Sequence, residues 1–303
     1  MSQALILALA LALDAGLGEP EALWQRAPHP AVLMGRAVGW ADRMLNHGAG
    51  RLVTGALSIA GLVALAWVIG GLLASLGWAV ELVAAAILLA HRSLVEHVRA
   101  VADALSLSIE DGRRAVAQIV GRDTGEMDEP GVARAAIESA AENLSDGVIA
   151  PAFWFLLLGL PGMLAYKIVN TADSMIGYRT PAHEQFGKAA ARLDDVLNWV
   201  PARITALLIH LTQYRRGDWG RIARDAPLHR SPNAGWPEAA MAVALGVALS
   251  GPRSYQGERR DFPFVNDAGK HQIGAEEIDA AVAVLWRAWA AALGLVILIV
   301  IVW

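Results

Sequence analysis

The sequence predicts an all-α fold: a polytopic integral membrane helical bundle with a charged helical subdomain that faces the cytoplasm. Of the 303 residues, 55% are hydrophobic and only 18% are charged, which is more apolar than most soluble globular proteins. Long apolar runs alternate with arginine-rich segments, as in chains that cross a bilayer several times. The chain has no alternating run long enough for a convincing β-strand and no internal repeat.

Four apolar runs are predicted to span the membrane, at about residues 3–17, 52–70, 72–90 and 280–303. The middle two come from a single run of 39 residues, Leu52 to Ala90, whose one charge is Glu81. As one helix this run would be about 58 Å long, nearly twice the roughly 30 Å of a hydrocarbon core. We therefore predict a hairpin of two helices, with Gly70-Gly71 and Gly77 as the helix breakers.

The remaining segments complete a single predicted membrane-embedded domain, residues 1–303. Broken or short membrane-associated helices are predicted at about residues 148–165, 204–211 and 239–249, and Pro161-Gly162 interrupts the first of them. Residues 91–147 are predicted to form a charged helical insertion. Within this insertion Ser108 is a predicted N-cap, and Pro130 is placed at a first helical position.

Arginine placement predicts the orientation of the chain. Arginines are concentrated after the first apolar run and after the predicted hairpin. Because positively charged loops stay on the cytoplasmic side, both segments are assigned there. We expect a multi-pass protein of the cell inner membrane whose polar motifs face the cytoplasm.

Charge and composition exclude several classes of function. A net charge of −4 leaves no basic footprint for nucleic acid, so we expect no nucleic-acid partner. The absence of cysteine excludes disulfides, iron–sulfur clusters, thiolate zinc sites and a cysteine nucleophile, so any metal must be bound by oxygen or imidazole. The sequence has no P-loop, no G-x-G-x-x-G and no H-E-x-x-H. Any nucleotide would therefore be bound by another arrangement.

The first polar cluster lies directly before an apolar segment. On a helix, Glu138, Glu142 and Asp146 fall at i, i+4 and i+8, so they point roughly one way, with Asn143 one step round. One interpretation is a magnesium or amine site at the membrane surface. The other is a solvated acidic face, or carboxylates paired with Arg134 and other arginines.

The second cluster follows that apolar segment. Lys167 shares a helical face with Asn170, and Asn170 forms an i, i+3 pair with Asp173. Lys167, in a chain with three lysines, could hold a phosphate as a point charge or extend toward lipid headgroups.

The third cluster combines acidic and amide side chains. Asp194 and Asp195 lie four and three residues before Asn198, which suits oxygen ligation of Mg²⁺. Arg192 and Arg203 flank the cluster. Since an unpaired guanidinium beside an apolar helix is costly, we expect Arg203 to have a carboxylate or phosphate partner. Asp194 or Asp195 could equally be this partner in a structural ion pair.

The fourth cluster lies on a loop that leads into a helix. Pro237 suits the first helical turn, and Glu238 favours the positive end of the helix dipole. The rigid loop before this helix carries three further polar groups, His229, Asn233 and Trp236. They are interpreted either as substrate contacts or, for the lone histidine, as a structural group.

Together these strings resemble the adenosylcobinamide-phosphate synthase family, the cobinamide synthases of cobalamin biosynthesis. The resemblance runs from Leu13 to about Gly251 and rests on strings in the expected order. They are LDAGLGEP, HPAVLMGR, GRDT, ARAAIESAAENLSDG, YKIVNTADSMIGYRT, FGKAAARLDDVLNWVPARITALL and SPNAGWPEAAMAVALG.

The resemblance implies an integral membrane ligase that joins adenosylcobyric acid to (R)-1-amino-2-propanol or its O-phosphate through an amide. A carboxylate is a poor electrophile, so ATP would activate it as an acyl phosphate, Mg²⁺ would neutralise phosphate charge, and a base would take the ammonium proton. Besides the lipid bilayer, expected partners are other corrinoid-assembly enzymes or further copies of the chain.

Residue roles are assigned on that basis as hypotheses. The catalytic set is Glu142, Asp146, Asp173 and Asp194, and the metal set is Asp173, Asp194, Asp195 and Asn198. The substrate-binding set is Asn143, Lys167, Asn170, Arg179, Arg192, Arg203, His229, Asn233, Trp236 and Glu238.

Three other functions remain open at this point. An intramembrane Mg²⁺-dependent prenyl- or phospho-alcohol transferase would require a lipid substrate and no ATP. A transporter would use the same polar residues and broken helices as a substrate path and form no covalent product. A silent scaffold for corrinoid enzymes would not form the amide alone.

Overall fold

The structure, a computed structural model, describes residues 1–18, 24–213, 218–255 and 258–302. Helices make up most of this part of the chain, and its strands are only two or three residues long. This confirms the predicted all-α fold class. Trp303, the last residue of the predicted closing span, lies outside the described residues.

The helices are α1 (Gln3–Leu17), α2 (Pro30–Leu45), α3 (Arg51–Ser75), α4 (Trp78–Leu88), α5 (His91–Leu107), α6 (Ile109–Val116), α7 (Glu129–Leu144), α8 (Ala150–Ile176), α9 (Lys188–Leu197), α10 (Trp199–Leu211), α11 (Trp219–Asp225), α12 (Gly235–Leu245) and α13 (Ala275–Val302). A π-helical segment, Ser145–Ile149, follows α7, and a 3₁₀ turn, Ala226–Leu228, follows α11. Strands β1 (Leu249–Ser250) and β4 (Phe264–Val265) pair antiparallel, as do β2 (Arg253–Tyr255) and β3 (Glu258–Arg260).

Four helical stretches of the described chain are long and apolar enough to cross a membrane. They are Arg51–Ser75, Trp78–Leu107, Glu129–Ile176 and Ala275–Val302. The predicted membrane bundle is therefore confirmed. Helix α1 keeps its predicted bounds, but its 15 residues make a shorter apolar helix, about 22 Å long.

The described residues divide into two compact units. The first unit comprises Met1–Ala90, Ala150–Trp199 and Leu295–Trp303, and the second comprises His91–Ile149 and Val200–Gly294. Where the sequence predicted one domain, the charged segment 91–147 shares a compact unit with Val200–Gly294.

The hairpin of the first unit turns later than predicted. Helix α3 continues through Gly70-Gly71 to Ser75, and the turn lies at Leu76 and Gly77, where Gly77 has φ 111°. The predicted bounds of the two spans are therefore wrong. Gly70 is a packing position: a Cβ there would lie 2.6 Å from the Cα of Pro161 on α8. Small residues allow such close approach of membrane helices.

The interruption predicted at Pro161-Gly162 lies two residues earlier. Helix α8 contains one residue with non-helical backbone angles, Gly159, at φ 67° and ψ −163°. Glycine adopts this conformation without a Cβ penalty, and Pro161 lacks the N–H that would continue the hydrogen-bond ladder. The other short helices also differ from their predicted ranges, 204–211 and 239–249, because α10 starts at Trp199 and α12 runs from Gly235 to Leu245.

The predicted helix starts in the second unit are confirmed. Ser108 Oγ accepts a hydrogen bond from the backbone N–H of Asp111 at 3.0 Å, which caps α6. Asp128 caps α7, and Pro130 lies in its first turn. Local sequence therefore fixes where these helices begin.

We predict that Gly70→Ala destabilises the protein by about 1–3 kcal/mol, because the new methyl group would overlap the Pro161 backbone. The free energy of unfolding in detergent micelles measures the effect. Gly71→Ala is the matched control, since a Cβ at Gly71 meets nothing within 4 Å. Equal stability of the two variants would contradict the packing role of Gly70.

Candidate functional site

The predicted site residues are distributed over the two units. The first unit holds Lys167, Asn170, Asp173, Arg179, Arg192, Asp194, Asp195 and Asn198. The second holds Glu142, Asn143, Asp146, Arg203, His229, Asn233, Trp236 and Glu238. Each unit contains a buried polar cluster of its own. That the two sets act on one substrate stays a prediction.

In the first unit the polar centre is Asp194, whose side chain is buried near the end of α9. Asn198 donates to Asp194 Oδ2 at 2.9 Å, and Asn170 on α8 donates to Oδ1 at 3.3 Å. Tyr166 donates its hydroxyl hydrogen to Asn198 Oδ1 at 2.9 Å. We call these four residues the Asp194 cluster. The predicted Asp194–Asn198 pair is formed, with Asn170 beside it.

Burial dominates the electrostatics of the Asp194 cluster. It raises the pKa of Asp194, while the amide donors of Asn198 and Asn170 lower it and the charge of Asp195 raises it further. Burial also raises the pKa of Asp195, against the lowering effect of Arg192. The result is a carboxylate oriented by neutral donors, whose charged form an added cation would stabilise.

The Asp194 cluster fits part of a magnesium site. Mg²⁺ takes oxygen ligands and is usually held by only one or two carboxylates, with water and substrate phosphate completing its shell. Asp194 and Asn198 offer such oxygens. Within the described ranges, no group of three or more histidine, aspartate and glutamate side chains could hold a metal ion. The predicted metal set with Asp173 and Asp195 stays a prediction.

The remaining predicted residues of the first unit differ in exposure. Lys167, Asp173 and Asp195 are half-buried, whereas Arg179 and Arg192 are exposed.

In the second unit the polar centre is Glu138, with only 7% of its surface exposed. Arg122 donates to Glu138 Oε2 at 2.7 Å, and Arg253 donates to the same oxygen at 3.3 Å. The backbone N–H of Ser250 donates to Oε1 at 2.7 Å. We call these four residues the Glu138 cluster. Two guanidinium groups and a backbone N–H hold Glu138 as a carboxylate.

The three carboxylates predicted to share one face have three different environments. Glu138 is buried, Glu142 is exposed, and Asp146 is half-buried. Asp146 lies in the π-helical segment, whose wider turn shifts it from the position that α-helical spacing predicts. The arginine-paired interpretation therefore holds for Glu138, although its partners are Arg122 and Arg253.

Glu238 is the second buried carboxyl group of this unit. It is 4% exposed, its Oε2 lies 3.8 Å from His229 Nε2, and its Oε1 has no hydrogen-bond partner among the described residues. Burial raises the pKa of Glu238 well above its ordinary value, and the charges of Glu138 and Glu142 act in the same direction. Glu238 thus does more than start α12, since it is a buried carboxyl group whose pKa is raised by its surroundings.

His229 next to Glu238 is held neutral. Its Nδ1 accepts a hydrogen bond from the backbone N–H of Ser231 at 3.0 Å, so its proton is on Nε2 in the neutral ring. Burial lowers the pKa of His229 to about 4, with the charges of Arg253 and Arg230 acting in the same direction.

Three predicted substrate-binding residues lie together beside α12. Arg203 donates to Asn233 Oδ1 at 3.2 Å, and its guanidinium lies 4.9 Å from the ring centre of Trp236. These contacts give Arg203 an amide oxygen and an indole face, and its expected carboxylate or phosphate partner stays a prediction. Arg203 and Trp236 are half-buried, so part of a cation and of a planar ring is accessible to a ligand.

Sequence reasoning missed four residues of these clusters: Tyr166, Arg122, Ser250 and Arg253. Tyr166 and Arg122 lie within two of the strings that carry the family resemblance, YKIVNTAD and GRDT. Local sequence patterns do not indicate the contacts that their side chains make. Arg253 lies beyond the patterned part of the chain, and no local signal predicts that it would reach Glu138.

Comparison with known proteins gives one consistent result. A family model described as CobD/Cbib protein matches residues 7–285. Among curated proteins, the Cobalamin biosynthesis protein CobD of Brucella suis biovar 1 (strain 1330) is 50% identical over 313 aligned residues, covering 97% of this chain and 95% of the relative. The protein of the same name from Rhizobium meliloti (strain 1021) is 51% identical, covering 94% and 93%. No solved structure matches.

We predict that Glu138→Gln lowers the free energy of unfolding by about 3–5 kcal/mol, because it removes the carboxylate charge that two buried guanidinium groups share. Glu142→Gln, one turn away and exposed, should change it by less than about 0.5 kcal/mol. Chemical unfolding of both variants in detergent tests the difference. A small effect at Glu138 would show that the Glu138 cluster is not a structural ion pair.

We also predict an acid-dependent loss of stability from His229. The histidine of the unfolded chain binds a proton below about pH 6.5, whereas folded His229 does so only near pH 4. The contribution of neutral His229 to the free energy of unfolding is therefore complete above pH 6.5 and disappears as the pH falls toward 4. The loss should reach about 3 kcal/mol. Unfolding measured between pH 4 and 7 should show an acid-dependent loss that is about 3 kcal/mol smaller in His229→Asn than in the wild type. The exposed His97→Asn variant is the control, and a profile unchanged by His229→Asn would contradict this account.

Proposed function

The chain belongs to the CobD/Cbib family, and on that premise we propose that it acts in cobalamin biosynthesis as an amide-forming ligase. Its substrates would be adenosylcobyric acid and (R)-1-amino-2-propanol or its O-phosphate. The observation that carries the proposal is the match of nearly the whole chain to proteins named for cobalamin biosynthesis. Buried carboxyl groups in different electrostatic environments support it, because the ligation needs both a metal ligand and a proton acceptor.

The proposed reaction activates the carboxylate first. A substrate carboxylate oxygen attacks the γ-phosphorus of ATP, and ADP leaves. The amine nitrogen then attacks the carbon of the acyl phosphate, phosphate leaves, and an amide bond remains. The amine enters as an ammonium ion, so one proton must be removed before the attack.

The Asp194 cluster is proposed as the metal side of the site. Asp194 and Asn198, with Asp173 and Asp195, would hold Mg²⁺, which neutralises phosphate charge when bound. Asn170 orients the Asp194 carboxylate by its hydrogen bond. Lys167, Arg179 and Arg192 would contact phosphate oxygens, since cations stabilise the charge on a transferring phosphoryl group.

The acidic residues of the second unit are proposed as the amine side. Glu142 and Asp146, together with Asn143, would attract the ammonium group. Glu238, in its carboxylate form, would accept its proton, because a raised pKa makes a carboxylate a stronger base. His229 would orient the Glu238 carboxyl.

Corrinoid binding is proposed for the group formed by Arg203, Asn233 and Trp236. A corrinoid is a broad ring with amide groups on its rim, which suits an indole face with adjacent polar side chains. Trp199, exposed at the start of α10, is a further candidate contact. Because ATP is cytoplasmic, we propose that the site opens to the cytoplasm from the inner membrane.

We predict that the purified full chain in detergent, given adenosylcobyric acid, ATP and Mg²⁺, forms an amide with one of the two amines and releases ADP. Mass spectrometry of the corrinoid and quantification of ADP measure this. Consumption of a lipid substrate, flux without a covalent product, or no product at all would contradict the proposed function.

Asp194→Asn should reduce turnover at least 100-fold while the protein remains inserted and folded, because it removes the charge of the proposed metal ligand. The control is Glu96→Gln, which makes the same carboxylate-to-amide change at an exposed position of α5. Full turnover of Asp194→Asn would remove Asp194 from the mechanism without refuting the ligation itself.

A further inference from the structure

Helix α2 of the first unit carries large apolar side chains on its outward face. Leu33, Trp40 and Met44 lie at i, i+7 and i+11, which is one face of an α-helix, and they are 50–57% exposed. Val38 and Ala41, away from this face, are buried. An exposed apolar patch of this kind marks a surface that contacts a membrane or another molecule.

The inward side of α2 is held against the rest of the first unit. A Cβ at Gly35 or Gly39 would lie 3.5 Å or 3.7 Å from atoms of Met175, close to the end of α8. Asp42, the one acidic residue of α2, has its Oδ2 3.3 Å from His183 Nε2. The helix therefore has a fixed orientation, and its carboxylate is engaged with the protein.

The outward face also carries positive charge. Arg36 and Arg43 lie at i, i+7 and are both exposed beside the apolar side chains. A helix at a membrane surface has this composition, because its apolar side chains enter the boundary of the acyl chains while its cations contact anionic lipid. Trp40 fits the same position, since tryptophan is enriched where the bilayer meets water.

The end of α2 lies at the start of a membrane span. Thr54, in the first turn of α3, donates its hydroxyl hydrogen to the carbonyl oxygen of Leu45, the last residue of α2, at 3.1 Å. Helix α3 is long and apolar enough to cross a membrane. Helix α2 has 16 residues and is about 24 Å long, less than the roughly 30 Å of a hydrocarbon core. It therefore adjoins the bilayer without crossing it.

We propose that the outward face of α2 binds anionic phospholipid. Leu33, Trp40 and Met44 would contact the acyl chains near the glycerol backbone, and the guanidinium groups of Arg36 and Arg43 would donate hydrogen bonds to headgroup phosphate oxygens. Two cations on this face favour a lipid with a net negative charge over a zwitterionic one. The inference rests on the membrane bundle and does not depend on the proposed ligation.

Spin labels test the contact with lipid, since the absence of cysteine permits single labelled sites. Leu33→Cys and Met44→Cys place a nitroxide on the outward face. Leu65→Cys, exposed on the span α3, is the lipid reference, and Glu110→Cys, exposed on the charged helix α6, is the aqueous reference. Each variant is reconstituted in nanodiscs of phosphatidylcholine and phosphatidylglycerol, and collisions with oxygen and with water-soluble Ni-EDDA are measured by electron paramagnetic resonance.

We expect the labels at Leu33 and Met44 to resemble the lipid reference, with high accessibility to oxygen and low accessibility to Ni-EDDA. Accessibility to Ni-EDDA equal to that of the Glu110 label would place the face in water. Protection from both reagents would show that protein covers it, either a second copy of the chain or another partner. Each of these two results would overturn the proposal.

Brominated lipids test the headgroup. A fluorophore on Met44→Cys should bind brominated phosphatidylglycerol, measured by quenching, at least about fivefold more tightly than brominated phosphatidylcholine. This preference should disappear in Arg36→Gln/Arg43→Gln and persist in Arg99→Gln/Arg114→Gln, which removes the same charge from exposed positions of the second unit. Size-exclusion profiles confirm folding. Equal quenching by both lipids, or an unchanged preference in folded Arg36→Gln/Arg43→Gln, would overturn the proposed binding.

Discussion

The cost of burying carboxyl groups in an apolar chain is the constraint on which the second unit depends. Each buried ion costs several kcal/mol unless partners surround it, and Glu138 has Arg122, Arg253 and the Ser250 N–H. Ser250 has φ 61°, a left-handed conformation that is unfavourable for a residue other than glycine. Two hydrogen bonds hold the Ser250 backbone in this conformation. The Ser250 N–H donates to Glu138, and Arg253 donates to the Ser250 hydroxyl oxygen at 2.6 Å. The short strands are thus fixed to α7 by one carboxylate.

The same constraint is met in three ways, and each gives a carboxyl group a different chemical character. Glu138 is neutralised by guanidinium groups and is a structural ion. Asp194 is surrounded by neutral amide donors, which orient it while leaving its charge available to a cation. The pKa of Glu238 is raised by its burial, and its carboxyl group lies 3.8 Å from neutral His229. The proposed ligation would use Asp194 as a metal ligand and Glu238 in proton transfer. Glu138 stabilises the fold instead.

Local patterns predicted what local interactions determine. The bounds of α1, the cap at Ser108 and the Asp194–Asn198 pair follow from residues within one or two turns of each other, so they could be read from the sequence. The partners of Glu138 could not be read from the sequence, because Arg253 is more than 100 residues away. Helical periodicity predicts the face on which a side chain lies but not the residue that contacts it. Gly70 was wrongly predicted to break the helix for a related reason. It lacks a side chain so that Pro161 on another helix can approach closely, and this contact is not visible in the local sequence.

The central claim, that this chain activates a corrinoid carboxylate as an acyl phosphate, is tested most directly by isotope transfer. Adenosylcobyric acid labelled with ¹⁸O in its free carboxylate would be converted by the purified protein with ATP, Mg²⁺ and the amine. The released inorganic phosphate would then be analysed by mass spectrometry. The account predicts one ¹⁸O atom in phosphate for each amide formed, because the carboxylate oxygen that bonds to phosphorus leaves with it. Amide formation with no label in phosphate would contradict it.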